Sequence, residues 1–140
     1  MRHQQNQARV WHEKFCKDGV RVLIADDQRS VGTTLAAMVE ACGHEAVEVV
    51  GSGLEAIQAY DKHKPDVILI DYWMAKLNGA TACRNILAKD AAARVILVSA
   101  WVPDHDLAAE SGAIALLSKP VDLPRLKTAL ADAGQMLPLH

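Results

Sequence analysis

Four stretches of the chain are apolar over strand length: residues 20–25, broken only by Arg21, and residues 67–70, 95–98 and 113–117. Such runs, rich in β-branched residues and lacking polar alternation, fit strands buried on both faces of a parallel sheet. A fifth segment, 44–50, sets Ala46 and Glu48 against Val47 and Val49, the alternation of a strand at a sheet edge. Between the strands, apolar positions recur at helical spacing. Val31, Leu35, Met38, Val39 and Cys42 form one face, with Ser30 as its candidate cap and Gly43 as its stop. Ser52-Gly-Leu-Glu55 reads as a capping box opening a second helix, with Leu54 and Ile57 inward. A third helix carries Cys83, Ile86 and Leu87 after Gly79, and only a short one fits between Pro103 and Gly112. Asp122 and Pro124 start the last, with Leu126, Ala129, Leu130 and Ala133 along one side and a stop near Gly134. Five strands alternating with five helices predict an α/β fold, a doubly wound five-stranded parallel sheet covered on both sides and built from right-handed crossovers.

At 140 residues this is one domain's worth of chain, enough to bury a substantial core. A formal net charge of −2 with scattered Lys and Arg argues against direct nucleic-acid binding. The opening residues hold no apolar core of signal-peptide length, and no apolar run approaches the roughly 20 residues of a membrane span, so a cytoplasmic protein with no membrane contact is expected. Cys16, Cys42 and Cys83 lack CxxC spacing, which speaks against a disulfide framework or a zinc site; Cys42 and Cys83 read as small core residues. Residues 1–18 are polar at first and then carry Val10, Trp11 and Phe15 at about one-turn spacing. They read as an N-terminal extension, partly disordered or one short helix packing on the domain that follows over 19–137. His12 and Cys16 lie four apart in it, but two potential ligands are better explained as a surface turn than as a metal site.

The chemistry collects where the strands end. Asp26 and Asp27 follow the first strand, Asp71 the third, Ser99 the fourth and Lys119 the fifth. In open α/β sheets that edge is where ligands bind. Three carboxylates brought together resist ionisation unless a cation sits among them. Mg²⁺ is the natural candidate, because it takes a few carboxylates and keeps waters for an incoming phosphate. Such a site suits phosphoryl transfer to an aspartate: Asp71 attacks, Asp26 and Asp27 hold Mg²⁺, and Ser99 and Lys119 each contact a phosphoryl oxygen. Lys119-Pro120 is a candidate cis bond, since X-Pro is the linkage that tolerates it.

The ordered set Asp26-Asp27, Asp71-x-x-Met74 with Gly79, Ser99-Ala100 and Lys119-Pro120 resembles the receiver domain of two-component response regulators, the chemotaxis-receiver fold, over about residues 20–134. The resemblance implies a flavodoxin-like sheet of strand order 2-1-3-4-5 that takes phosphate from a sensor histidine kinase or phosphotransfer protein and then changes its affinity for a downstream protein. It also implies a metal held by one or both of Asp26 and Asp27, by Asp71 and by the Trp73 backbone carbonyl, and allows a homodimer. Four departures from the family pattern stand out. Ala75 replaces the usual Pro, Leu116 the usual aromatic switch, and the segment from Ser99 to Lys119 is about two residues short. Trp73 and Trp101, two residues after Asp71 and Ser99, border the expected phosphoryl group. Other readings of the same pattern are a receiver-fold scaffold with degenerate switching and an aspartate-nucleophile phosphohydrolase. The latter expects a second Asp where Trp73 stands, and a flavodoxin-type electron carrier would have its cofactor phosphate repelled by Asp26-Asp27.

Overall fold

The computed structural model describes residues 19–100 and 111–135. The strands are β1 (Arg21–Ala25), β2 (Glu45–Val50), β3 (Val67–Asp71), β4 (Val95–Ser99) and β5 (Ala115–Ser118). They form one parallel sheet in the order β2-β1-β3-β4-β5, as expected. β3 and β4 are buried along their whole length, which is what their uninterrupted apolar runs require. β2 is an edge strand, as its alternation predicts.

Among the described residues there are four helices rather than five: α1 (Arg29–Ala41), α2 (Gly53–His63), α3 (Gly79–Lys89) and α4 (Leu123–Gln135). The expected short helix between Pro103 and Gly112, the N-terminal helix, Trp101 and the end of the chain past Gln135 lie outside the described residues. On one face of the sheet, α2 and α3 bury Ala56, Ala59, Ala80, Cys83 and Ile86 against Ile68, Ile70 and Leu97. On the other, α1 and α4 bury Leu35, Val39, Leu126, Leu130 and Ala133 against Val22, Ile24 and Leu69. Among the described residues no helix is long and apolar enough to cross a membrane.

Caps and facings differ from the sequence reading in several places. α1 starts after Gln28 with no side-chain cap, because the Asp26 carboxylate takes the Gln28 N–H at 2.9 Å; Ser30 sits inside the helix. Ser52 does cap α2, accepting the Glu55 N–H at 3.1 Å. That start sets a phase which buries Gly53, Ala56, Ala59 and Tyr60, leaving Leu54 61% exposed instead of inward. Lys64 closes α2 at φ 47°, in the left-handed region that glycine usually fills, just before Pro65. Cys83 is a core residue, but Cys42 is only half-buried, since it caps α1 rather than continuing its inner face. Asp122 caps the start of α4, accepting the Arg125 N–H at 2.8 Å. The Lys119-Pro120 bond is cis.

Candidate functional site

Parallel strands present all their C-terminal ends at one edge, so the residues after β1, β3, β4 and β5 meet there. Asp26, Asp71 and Ser99 are 1%, 5% and 1% exposed, an unusual depth for two carboxylates. Asp27 stays at the surface, and its carboxylate completes a group of three with Asp26 and Asp71 whose candidate ligand oxygens all lie within 4.8 Å of one another. Lys119 reaches this group from the end of β5, with Nζ 2.8 Å from Asp26 Oδ2 and 3.5 Å from Asp71 Oδ1. Its backbone N–H donates to the Ser99 carbonyl at 2.8 Å, which ties the root of the lysine to the end of β4.

Each carboxylate is also held by backbone. Asp26 Oδ1 accepts the Gln28 N–H, and Asp71 Oδ1 accepts the Trp73 N–H at 3.3 Å. Beneath Asp71 the main chain turns sharply into α3: the Gly79 N–H donates to the Tyr72 carbonyl at 2.9 Å, and a Cβ at Gly79 would stand 2.4 Å from the Asp71 carbonyl oxygen. Only glycine permits that approach.

Burial pushes the Asp71 carboxyl above the usual carboxylate range; Lys119 pulls it back, Asp26 adds to the rise, and the Trp73 N–H opposes it. Burial alone would lower the Lys119 ammonium, but its hydrogen bond to Asp26 and the charges of Asp71 and Asp26 outweigh this and raise it. Lys119 therefore stays charged and offsets part of the carboxylate repulsion. An all-oxygen donor set with buried and solvent-facing members fits a hard divalent cation that keeps some of its waters.

All four elements thus bring the expected residues to one edge. The lysine, expected in the same pocket to pair with a phosphoryl oxygen, is already engaged by two carboxylates. The sequence reading also passed over Arg29 and Thr33. With Asp26, Asp27 and Gly51 they line a cleft of about 130 Å³ beside the acids. Their four-residue spacing on α1 was the available signal.

Residues 22–131 match the family model of the response regulator receiver domain. The chain belongs to that family. This receiver domain is 33% identical over 118 residues to the chemotaxis protein CheY of Listeria monocytogenes, a match covering 83% of this chain and 99% of that protein. It is 35% identical over 111 residues to the transcriptional regulatory protein PdtaR of Mycobacterium tuberculosis, covering 79% of this chain but 54% of that protein. Among solved structures it resembles one in the CheX-CheY-BeF3-Mg+2 complex from Borrelia burgdorferi, with TM-score 0.76 and 28% identity over 80% of this chain and 87% of that one. Receiver domains are mostly signal transducers, bind Mg²⁺ through an acidic pocket, and interact with histidine kinases or phosphotransfer proteins and with downstream effectors.

Proposed function

We propose that Asp71 is the phospho-acceptor of this receiver domain and takes its phosphoryl group from a phosphohistidine on a sensor histidine kinase or phosphotransfer protein. The observation that carries this is the Asp26, Asp27 and Asp71 cluster at the strand ends, with Lys119 2.8 Å from Asp26 and 3.5 Å from Asp71. An Asp71 carboxylate oxygen forms the new P–O bond as the P–N bond of the donor breaks, its electron pair leaving with the imidazole. Asp26, Asp27, Asp71 and the Trp73 carbonyl are the proposed metal ligands. Bound Mg²⁺ would neutralise charge between the acceptor and the incoming phosphoryl oxygens. Ser99 donates to one of those oxygens, and another competes with Asp26 and Asp71 for the Lys119 ammonium.

That competition is the link to signalling. Lys119 follows β5, so re-pairing it biases the conformations of that edge and the affinity for a downstream protein. The functional unit is residues 19–137, acting in the cytoplasm and reacting only on itself, by gaining and losing phosphate. Leu116 favours a second reading, a binding scaffold that has lost its switch: it is aliphatic and packs half-buried against the α2–α3 core. Phosphorylation without any change in partner affinity would decide for the scaffold.

The test is intact mass after incubation with Mg²⁺ and acetyl phosphate, with Asp71→Asn alongside. One phosphate on the parent, dependent on the metal and absent from the variant, is the expected result. No adduct with the metal present would overturn the assignment.

A further inference from the structure

The first turn of α1 carries a cation where a helix favours an acid. The positive end of the helix dipole lies there, yet Arg29 is the first residue of the helix, no acidic residue stands in its first turn and no side chain caps it. Arg29 also lacks a partner of the kind that Arg21 has in Glu45 and Arg125 in Asp122, each at 3.5 Å. Its side chain is exposed, and among the described residues its guanidinium enters no ion pair or hydrogen bond.

Arg29 stands on the wall of the cleft of about 130 Å³ that Asp26 and Asp27 also line. Val49, Val50 and Gly51 add no charge to that wall, and the Thr33 hydroxyl donates to the Arg29 carbonyl at 2.9 Å. A cleft this small brings the charges on its wall within about one screening length of each other, about 8 Å at physiological salt. Asp26, Asp27 and Asp71 against the Lys119 ammonium leave two negative charges at the strand ends, and the Arg29 guanidinium reduces this to one. With a divalent cation in place the pocket is then net positive rather than neutral. That charge favours an incoming phosphoryl anion.

We propose that Arg29 is the charge-balancing residue of this site, weakening the hold of the acids on the cation and strengthening the attraction for the anion that follows. The proposal rests on the phospho-acceptor reading given above and assigns Arg29 no contact with the reacting atoms. The two effects have opposite signs, because one positive charge repels the first ligand and attracts the second. A residue that only built the first turn of α1 would move both affinities together or neither. At about 8 Å in watery surroundings and low salt, a unit charge changes the binding of a dication about fivefold and of a monoanion about twofold.

The experiment is a ¹H–¹⁵N NMR titration of the full chain at low ionic strength, first with Mg²⁺ alone and then, at saturating Mg²⁺, with beryllofluoride as an anionic stand-in for a phosphoryl group. The amide signals of Gln28 and Trp73, whose N–H groups donate to Asp26 and Asp71, report the two ligands. In Arg29→Gln, Mg²⁺ should bind about fivefold more tightly and beryllofluoride about twofold more weakly, with both differences shrinking in added salt. Arg29→Lys keeps the charge and should keep both affinities near those of the parent. Removing a cation from a helix N-terminus does not weaken the helix, so a lower anion affinity in Arg29→Gln is not the mark of a damaged fold. Affinities that stay unchanged in Arg29→Gln, that move in the same direction, or that shift as far in Arg29→Lys overturn the proposal and leave the acceptor reading standing. A parent that does not respond to Mg²⁺ overturns the metal ligands assigned above, and the role of Arg29 with them.

Discussion

On one face of the sheet, α2 and α3 press small side chains onto the strands, with Ala56, Ala59, Ala80, Ala82 and Cys83 all buried and Gly79 in direct contact with the backbone of Asp71. On the other, α1 and α4 use the larger Leu35, Val39, Leu126 and Leu130, and near the site α1 and the residues from Lys119 to Val121 leave a groove of about 500 Å³ between them. Small residues allow close approach of helix to strand and leave nothing to repack. The proposed acceptor, Asp71, is thus backed by the closed face, whereas Lys119 borders the open one. A nucleophile must hold its position while a signal must change something, and here the two demands fall to opposite sides of the same sheet.

The sharpest way to break that contrast is with two glycines. In Gly79→Ala the added carbon meets main-chain atoms that cannot move without displacing Asp71, so a loss of about 3 kcal/mol or more is expected, with loss of the phosphate adduct. In Gly134→Ala the neighbour is a Val20 methyl at 3.3 Å in a helical segment, and the gain in helix propensity should hold stability within about 0.5 kcal/mol of the parent. Urea denaturation of both would show it; equal losses would mean that the faces are equally tight. Next in size is truncation within the cores. Ile86→Ala empties a fully buried site on the closed face and should cost about 3 kcal/mol, whereas Met38→Ala, beside the groove, should cost about 1 kcal/mol or less.

How much of this was readable in advance follows from how local each cause is. The unbroken run of Val67, Ile68, Leu69 and Ile70 announced a central strand and the Asp71 that ends it, and Ser52 with Glu55 announced a helix start. Strand alternation then placed Asp26, Asp71, Ser99 and Lys119 at one edge. The inward face of α2 differs from the expectation at Leu54, because the start at Ser52 sets a helical phase that turns Gly53, Ala56 and Ala59 inward instead, which spacing alone does not show. The engagement of Lys119 by Asp26 depends on residues 93 apart and on the order of strands between them. The groove lies between α1 and the residues from Lys119 to Val121, far apart in sequence, and no pattern along the chain encodes it.

The closed face should also be visible in an alkaline titration. Burial raises the Cys83 thiol to about 11, against 9.0 when free, with Ser111 and Arg84 opposing the rise only in part. The unfolded chain then releases this proton first, so stability falls as pH rises from 9.0 towards about 11, and this group adds no further loss above that. Cys83→Ala should flatten the dependence across that window. Cys42, raised less decisively at the half-buried end of α1, should leave the curve nearly unchanged when replaced. An identical slope in parent and Cys83→Ala would show that water reaches the closed face.

The smallest effect expected is kinetic and lies where the closed face meets the site. Trp73 is 52% exposed, yet its ring stands edge-on to the buried Tyr72, with centroids 4.7 Å apart and planes at 73°. Its backbone is meanwhile tied to Asp71 Oδ1. If Asp71 carries the phosphoryl group as proposed, an indole braced in this way beside it would limit how water approaches, so Trp73→Ala should shorten the lifetime of the phosphorylated form a few-fold and Trp73→Phe much less. Loss of ³²P label over time measures this at no cost to the fold, since an exposed ring contributes little to stability. An unchanged lifetime in Trp73→Ala would mean that the ring only packs on Tyr72.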